Sequence, residues 1–445
     1  MRLFAIAVAL LPAAAAAQER PDPARLKADV EKLVSFGTRH TLSSATDPKR
    51  GIGAARHWFG AELTRIGKGC GGCITVSEVQ KTMSGPRIPQ GANIVDVLGM
   101  QQGSEPDRVV IVQGHIDSRV TDVMNATADA PGANDDASGV ALVLETARLL
   151  SRHKFKATVV YAALTGEEQG LFGGQLLAQT AKERGWHVVA VLNNDIVGNT
   201  LGQNGQRVAD RVRVFSEGIS AAATLPELMT VRGNGGEDDG PSRALAKAIG
   251  EVGHTIPGGL EVMLVRRPDR FGRGGDHEPF QALGYPAVRF SVGIENYTQQ
   301  HQDLRTENGI VYGDTVDRMD FPYLAKVTAI NARTIARLAA APAAPAQVTL
   351  NGALGFDTKV VWSPVPGATG YRLHWRRDDR PDWTDHQDVA APATSTTLQG
   401  KIVDDTFIGV SALSADGAES IITFGGRPVR QADWQAAPKA PATAK

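Results

Sequence analysis

The sequence predicts an α/β domain, built on a mostly parallel mixed sheet covered by helices on both faces, followed by a C-terminal all-β sandwich. Two observations lead to this prediction. Short apolar runs alternate with segments of helical periodicity over the first three quarters of the chain, which is typical of a parallel sheet. After an Ala/Pro-rich stretch, the pattern changes to short strands separated by turn residues. At 445 residues the chain is too long for one ordinary core, so two domains are expected.

The N-terminus has the pattern of a secretory signal peptide. Arg2 gives a positive start, Leu3–Leu11 forms an apolar core, and Ala13–Ala17 supplies the small residues of a cleavage site. A membrane anchor is the alternative, but the apolar run is shorter than the roughly 20 residues that span a bilayer. We therefore expect residues 1–17 to be removed and the protein to be exported, either to a periplasm or to the medium.

The first domain is predicted to occupy residues 18–340, where two kinds of segment alternate. The strands are expected at Ile74–Gln80, Asn93–Leu98, Arg108–Val112, Thr158–Leu164, Val188–Asn193, Val212–Phe215, Glu261–Val265 and Ala287–Ser291. The helices are expected at Pro23–Phe36, Gly51–Ile66, Ser138–Leu150, Gly173–Gly185, Pro241–Val252, Glu278–Leu283 and Phe321–Leu338. Ligands of such sheets bind beyond the carboxyl ends of the strands, so polar residues that directly follow these runs are candidate site residues.

The second domain begins after an Ala/Pro-rich linker at residues 341–347. Strands are predicted at Val348–Leu350, Lys359–Trp362, Gly370–Trp375, Ser395–Leu398, Phe407–Ala412 and Ile421–Phe424. Trp362, Tyr371 and the segment SALSADGAES resemble a fibronectin type III module, which we expect over residues 348–430. Residues 431–445, rich in Ala and Pro, are expected to be disordered.

Charge and cysteine content narrow the possible classes of protein. The 47 basic and 48 acidic residues give a formal net charge of −1, and the sequence has no basic run, which argues against a nucleic-acid partner. The two cysteines, Cys70 and Cys73, are spaced as C-x-x-C. Such a pair can be a redox motif or half of a zinc site, but export to an oxidising compartment favours a disulfide bond.

Polar residues follow several of the predicted strands directly. The acidic pair Glu167-Glu168 comes after a buried apolar run, where unpaired carboxylates would cost several kcal/mol. The other candidates in equivalent positions are His115, Asp117, Asp135, Asp136, Asp195 and His301. Each alone has an ordinary explanation: Asp135-Asp136, for instance, is also a helix N-cap pattern. Together, the imidazole and carboxylate groups suit zinc.

The motifs that carry these residues resemble a known family. The segments GHIDS, GANDDASG, TGEEQGLFGG and NNDI, followed by GGDHEPFQALGYPAV, are similar to those of the secreted dizinc aminopeptidases. That family includes bacterial leucyl aminopeptidase, aminopeptidase Y and glutamate carboxypeptidase II. The resemblance covers roughly Leu26–Leu338 and implies the zinc exopeptidase fold, with two Zn²⁺ ions as cofactors.

The resemblance also implies a role for each matching residue. His115 and Asp195 would hold one zinc, Glu168 and His301 the other, and Asp135 would bridge the two, joined to Asp136 by a cis peptide bond. In the same way, Asp117 would orient the His115 ring and Glu167 would be the general base.

One segment departs from the family pattern. The chain reads His301-Gln302-Asp303 where family members often have H-T-x-x-D, so His277 is a rival for the fifth ligand position. Since the family more often uses the D-H pair of GGDHEPF to line the substrate pocket, His301 is preferred. Asp276 and His277 are therefore predicted to be substrate-binding residues.

The resulting functional hypothesis is an exported aminopeptidase that removes N-terminal residues from peptides. The sequence does not determine its oligomeric state. A carboxypeptidase remains an alternative because Arg266, Arg267, Arg270, Arg273 and Arg289 offer cations for a C-terminal carboxylate. A glutaminyl cyclase on the same scaffold is disfavoured, since cyclases of this type use a single zinc. The other group of dizinc exopeptidases, which carries an inserted dimerisation domain, is a poor match, because the stretch between Asp195 and His277 is too short to hold such a domain. A non-catalytic binding protein would have no reason to keep the complete set of residues.

Overall fold

The computed structural model describes residues 20–426. The predicted signal peptide and the predicted disordered tail lie outside the described residues. The first domain is built on an eight-stranded mixed sheet. Numbered along the chain, its strands are β1 (Thr75–Gly85), β2 (Ile88–Gln101), β3 (Glu105–His115), β4 (Ala157–Leu164), β5 (His187–Asn194), β6 (Arg211–Phe215), β7 (Glu261–Val265) and β8 (Ala287–Val292).

The spatial order of the strands is β1-β2-β4-β3-β5-β8-β6-β7. The central strands β4, β3, β5 and β8 are parallel to one another, while β2 and β6 join them in antiparallel pairs. Strand β4 has the sequence ATVVYAAL and is buried along its whole length, as expected for a strand that is covered on both faces. The predicted mostly parallel α/β domain is confirmed.

Helices cover both faces of the sheet. They are α1 (Pro23–Val34), α2 (Ile52–Gly69), α3 (Ala137–Leu150), α4 (Glu167–Gly170), α5 (Phe172–Glu183), α6 (Leu225–Asn234), α7 (Pro241–His254), α8 (Glu278–Gln281) and α9 (Phe321–Ala340). Within β3, Val110 and Val112 belong to the core shared with α3 and α9. Val109 and Ile111 point to the opposite face, in the core shared with α5.

The chain reverses direction across the sheet at β3. It passes from β3 to β4 on one side and then crosses to β5 on the other, with α3 and α5 as the connections. Such a topological switch opens a crevice at the carboxyl ends of the strands, where α/β proteins bind ligands. His115 at the end of β3 pairs with Leu164 at the end of β4, so the loops after both strands start side by side.

The C-terminal part consists of two antiparallel sheets. One contains β11 (Val348–Asn351), β12 (Thr358–Trp362) and β15 (Ser395–Leu398); the other contains β13 (Gly370–Arg377), β14 (Asp385–Ala390), β16 (Thr406–Leu413) and β17 (Thr423–Phe424). Between the sheets lies a separate core, in which the rings of Trp362 and Tyr371 are 5.2 Å apart. The predicted all-β unit is confirmed; its likeness to a fibronectin type III module stays a prediction.

Several elements of the structure were not predicted, among them a hairpin, an edge strand and a helix. A short hairpin consists of β9 (Arg305–Glu307) and β10 (Ile310–Tyr312). Strand β14 is a largely exposed edge strand of sequence DHQDVA, without the apolar alternation that marks a strand. Helix α6 has a single buried residue, Val231, and is stabilised by a capping box in which Thr224 and Glu227 bond each other's backbone. Tertiary context, rather than an apolar pattern, defines these elements.

Two further expectations can be checked directly. Cys70 and Cys73 form a disulfide bond just after α2, as predicted. Over residues 20–426, none of the helices has the length and apolar character required to cross a bilayer.

We predict that Glu419 makes the stability of the protein fall at acid pH. Burial acts to raise the pKa of Glu419, but hydrogen bonds with His374 and Ser411 and the charge of Arg337 lower it to about 2. The unfolded carboxyl has a pKa of about 4.3, so the stabilisation is complete above pH ~5 and is lost as the pH falls toward 2. The difference amounts to about 3 kcal/mol. Denaturant unfolding should show that the stability gap between wild type and Glu419→Gln is full above pH ~5 and closes as the pH falls toward 2; a gap independent of pH would contradict the assignment.

Candidate metal centre

The residues singled out in the sequence meet at the carboxyl edge of the central strands. His115 is the last residue of β3, Glu167 and Glu168 open the short helix α4 after β4, and Asp195 directly follows β5. Asp135 comes just before α3, and its peptide bond to Asp136 is cis, as the resemblance implies. The Asp136 side chain caps α3 by accepting from the Gly139 N–H.

Two clusters of possible metal ligands share one residue. His115, Asp135 and Asp195 form the first, in which His115 Nε2 lies 3.1 Å from Asp135 Oδ1 and 3.7 Å from Asp195 Oδ1. Asp135, Glu168 and His301 form the second, in which His301 Nε2 lies 3.0 Å from Asp135 Oδ2 and 3.3 Å from Glu168 Oε2. The two oxygens of Asp135 thus face different clusters.

The donor atoms fit a pair of zinc ions. Each cluster offers one imidazole nitrogen and carboxylate oxygens, which is a ligand set that zinc accepts. Across residues 20–426, buried Asp195 Oδ1 and Glu168 Oε1 are among the polar atoms that have no hydrogen-bond partner in the protein. A buried carboxylate oxygen without a partner is costly unless a cation or a donor satisfies it. Each cluster therefore has one buried carboxylate oxygen that a bound cation could satisfy.

Main-chain and side-chain contacts orient the first histidine. His115 Nδ1 lies 3.1 Å from the carbonyl oxygen of Asp117 and 3.6 Å from its carboxylate Oδ1. This contact leaves Nε2 directed at the first cluster. The Asp117 carboxylate itself accepts hydrogen bonds from the Thr41 hydroxyl and from the backbone N–H groups of Glu167 and Glu168. Asp117 therefore ties the loop after β3 to the loop after β4.

Asp314 fixes the segment that carries Asp135, and the sequence reasoning missed it. Its fully buried carboxylate accepts from the backbone N–H of Asn134 and, at 2.7 Å, from that of Asp135. Burial raises the pKa of Asp314 to about 7, the two N–H groups oppose this rise, and the Asp135 carboxylate adds to it. No local signal marks Asp314, because it lies 179 residues from its partner Asp135.

Two arginines contact the candidate ligands. Arg119 donates to Glu168 Oε2 at 2.7 Å and approaches His301 Nδ1 at 2.6 Å. Arg289, which is completely buried on β8, forms an ion pair with Asp195 Oδ2 at 2.9 Å and another with Asp269 at 3.0 Å. Asp195 thus has one oxygen held by arginine and the other turned toward His115.

A pocket of about 530 Å³ opens over both clusters. Glu167 lies on its wall together with Asp135, Glu168, Asp195 and His301. Burial raises the pKa of Glu167 well above its ordinary value; His115 opposes the rise, and Asp195 and Glu168 add to it. The remaining wall residues are mostly polar or charged: Pro86, Arg87, Arg119, Gln169, Gly170, Leu171, Arg270, Gly272, Arg273, Gly274 and Glu278.

Asp276 and His277 lie behind this wall rather than on it. Asp276 is 1% exposed and accepts from the Gly174 N–H, while His277 is fully buried and contacts the Pro268 carbonyl through Nε2. His277 belongs to a different group, with Asp269 and Glu278, and to neither of the two clusters that contain Asp135. Its role as rival ligand therefore finds no support in the geometry, and the substrate contacts of Asp276 and His277 stay a prediction.

Comparison with known proteins identifies the family. Residues 96–336 match the model of peptidase family M28. The chain is 43% identical over 420 residues to a "Probable zinc metalloprotease" of Pyricularia oryzae, covering 91% of this chain and 82% of that protein. A relative of the same description from Leptosphaeria maculans is 42% identical over 409 residues, covering 90% and 94%. The chain belongs to peptidase family M28. It is a zinc metallopeptidase.

Solved structures share the fold of this M28 peptidase. A leucine aminopeptidase precursor from Bacteroides thetaiotaomicron superposes with a TM-score of 0.52 at 16% identity, covering 72% of this chain and 98% of that one. The glutaminyl cyclase of Porphyromonas gingivalis gives a TM-score of 0.50 at 17% identity, covering 72% and 99%. At such low identity the likeness establishes the zinc exopeptidase fold and leaves the reaction open.

Proposed function

We propose that this M28 peptidase is an exported aminopeptidase that uses two zinc ions and Glu167 as general base. The supporting observation is the pair of three-residue clusters that share Asp135 at the floor of one pocket. His115 and Asp195 would hold one ion, Glu168 and His301 the other, and Asp135 both. When bound, zinc supplies a Lewis acid that makes water nucleophilic near neutral pH.

The side chains of the protein then position and move one proton. Glu167 lines the pocket together with residues of both clusters but is a member of neither cluster. Its carboxylate would take a proton from the attacking water and return it to the nitrogen of the leaving amine, so that one water is consumed for each peptide bond broken. The backbone N–H contacts from Glu167 and Glu168 to Asp117 hold the backbone that carries Glu167 next to the loop that follows His115.

Export is part of the proposal and is supported by two observations. The N-terminal sequence has the charged start, apolar core and small-residue end of a signal peptide. In addition, Cys70 and Cys73 form a disulfide bond, and such bonds persist mainly in oxidising compartments.

A carboxypeptidase is the second candidate, because arginines line the pocket. Arg270 and Arg273 lie on its wall, as do Arg87 and Arg119. Arginine recognises carboxylates through paired donors, so a substrate with a free C-terminus would find partners there. Two buried acids already engage part of this charge, since Glu295 contacts both Arg270 and Arg273, and Asp269 contacts Arg270. This prior pairing favours the aminopeptidase.

A substrate panel, combined with a measurement of zinc per chain, distinguishes an aminopeptidase from a carboxypeptidase and from a cyclase. The panel contains aminoacyl p-nitroanilides with a free α-amine, the same compounds N-acetylated, N-acetyl dipeptides with a free C-terminus, and glutaminyl peptides. The aminopeptidase proposal expects two zinc ions per chain and cleavage of the free anilides, with at least 100-fold slower cleavage of the blocked ones. Preferential cleavage of the N-acetyl dipeptides would instead identify a carboxypeptidase, and cyclisation of N-terminal Gln a cyclase.

A further inference from the structure

We propose that the C-terminal sandwich positions one wall of the pocket. That wall is formed by residues 266–275, here called the wall loop, four of which line the pocket: Arg270, Gly272, Arg273 and Gly274. The contact between the sandwich and the wall loop runs through residues 235–239, here called the connecting segment. The inference rests on the pocket being the substrate site, as proposed above, and holds for an aminopeptidase or a carboxypeptidase.

The connection between the sandwich and the wall loop begins with an ion pair that is buried between the two domains. Arg376 on β13 is 1% exposed, and its Nη2 lies 2.5 Å from Oδ2 of Asp239 in the connecting segment. The other oxygen of Asp239 contacts Lys247 Nζ of α7 at 2.7 Å. Asp239 is therefore held from both sides, by the sandwich and by the peptidase domain. Removing Arg376 would leave Asp239 without its partner in the sandwich, and loss of one member of a buried pair is strongly destabilising.

Aromatic rings of the sandwich enclose the same contact. The Arg376 guanidinium lies 4.8 Å from the ring centre of Trp383 and 4.5 Å from that of Phe407. A Cβ atom added at Gly235 would come within 2.8 Å of the Phe407 ring. One added at Gly236 would come within 3.0 Å of the Phe424 ring. The backbone of the connecting segment thus packs closely on the sandwich, and a Cβ at either position would require the facing ring to shift.

The neighbouring residue, Asp238, carries the contact to the wall loop. Its carboxylate lies 3.1 Å from Nε of Arg266, the first residue of the loop, and also pairs with Arg243 of α7. Arg243 in turn donates to the hydroxyl and the carbonyl of Ser216, at 2.8 Å each. The N–H of Ser216 donates to the carbonyl of Arg267, the second residue of the loop.

Asp238 and Asp239 therefore link two parts of the molecule through a single turn of chain. One carboxylate holds the base of the wall loop, and the other is held by the sandwich. If the Arg376 contact is lost, Asp239 keeps only its contact with the peptidase domain. The turn that sets the position of Asp238 is then less constrained. The expected consequence is a more mobile wall loop, and hence a less well-defined position for Arg270 and Arg273 in the pocket.

The test compares Arg376→Met with Arg377→Met in the full chain. Arg377 is the next residue of the same strand, but its side chain is 75% exposed and pairs with Asp379 at the surface. At a temperature well below unfolding, hydrogen exchange of residues 266–275 is expected to be at least 10-fold faster in Arg376→Met and unchanged in Arg377→Met. KM should rise several-fold in Arg376→Met, with a smaller change in kcat and with unchanged zinc content.

A second variant covers the possibility that Arg376→Met does not fold. Arg266→Gln breaks the other end of the connection at a half-exposed side chain, and it should speed exchange in the wall loop while leaving exchange in the sandwich unchanged. The inference is overturned if folded variants show wild-type exchange in the wall loop, or faster exchange with an unaltered KM. If the wild-type protein cleaves no peptide, the proposed function fails, and the exchange rates alone still decide whether the sandwich positions the loop.

Discussion

Replacing Glu167 by Gln is expected to reduce kcat by about 10²–10⁴-fold, the usual contribution of a positioned general base. The amide keeps the size of the side chain but cannot accept a proton from water. Glu167 belongs to neither ligand cluster, so the variant should retain the zinc content of the wild type. Steady-state kinetics on the best substrate of the panel, together with metal analysis of the same sample, measure both quantities.

Glu183→Gln is a suitable control, because Glu183 is exposed at the end of α5 and should give wild-type kinetics. A Glu167→Gln enzyme with near-native turnover would show that another group accepts the proton. Loss of zinc from the same variant would show that Glu167 acts as a ligand instead.

Replacing Asp135 by Ala is expected to remove zinc from both clusters and to abolish activity. One oxygen of Asp135 faces His115 and the other faces His301, and within residues 20–426 no other single residue belongs to both of these clusters. Metal analysis after dialysis should give less than one zinc per chain. Activity at saturating substrate should fall below detection, because too few ligands remain at either position.

The decisive comparison is with Asp195→Ala, which removes a ligand from the first cluster alone. This variant should keep about one zinc per chain if the two-site assignment is right. Equal zinc loss in the two variants would argue against separate sites, and wild-type zinc content in Asp135→Ala would refute the bridging role altogether.

The sequence predicted the central strands and the convergence of the candidate residues at one edge of the sheet, for a physical reason. Strands buried on both faces are nearly continuous apolar runs, as in β4, and parallel strands bring their carboxyl ends to one edge. His115, Glu168 and Asp195 each stand directly after such a run, so their convergence followed from topology. Assignment of individual ligands required the family resemblance, since spacing alone left Asp135 indistinguishable from an ordinary helix cap.

The groups that hold these residues in place could not be predicted. Arg289 lies between Asp195 and Asp269, and Asp314 binds the backbone before α3, but neither stands in a motif. Their importance depends on contacts between distant parts of the chain, which no local pattern encodes. The same holds for Arg376, which reads in the sequence as one of several surface arginines and is in fact buried against Asp239.

The second cluster draws its three members from widely separated positions, Asp135, Glu168 and His301. Asp314, which lies beyond all of them, fixes the backbone at Asp135. During synthesis on the ribosome, this half of the centre has no complete set of donors until the chain has been extended past residue 301. Completion of the second cluster must therefore come late in biogenesis, and a fragment cut off before that point carries the first cluster at most.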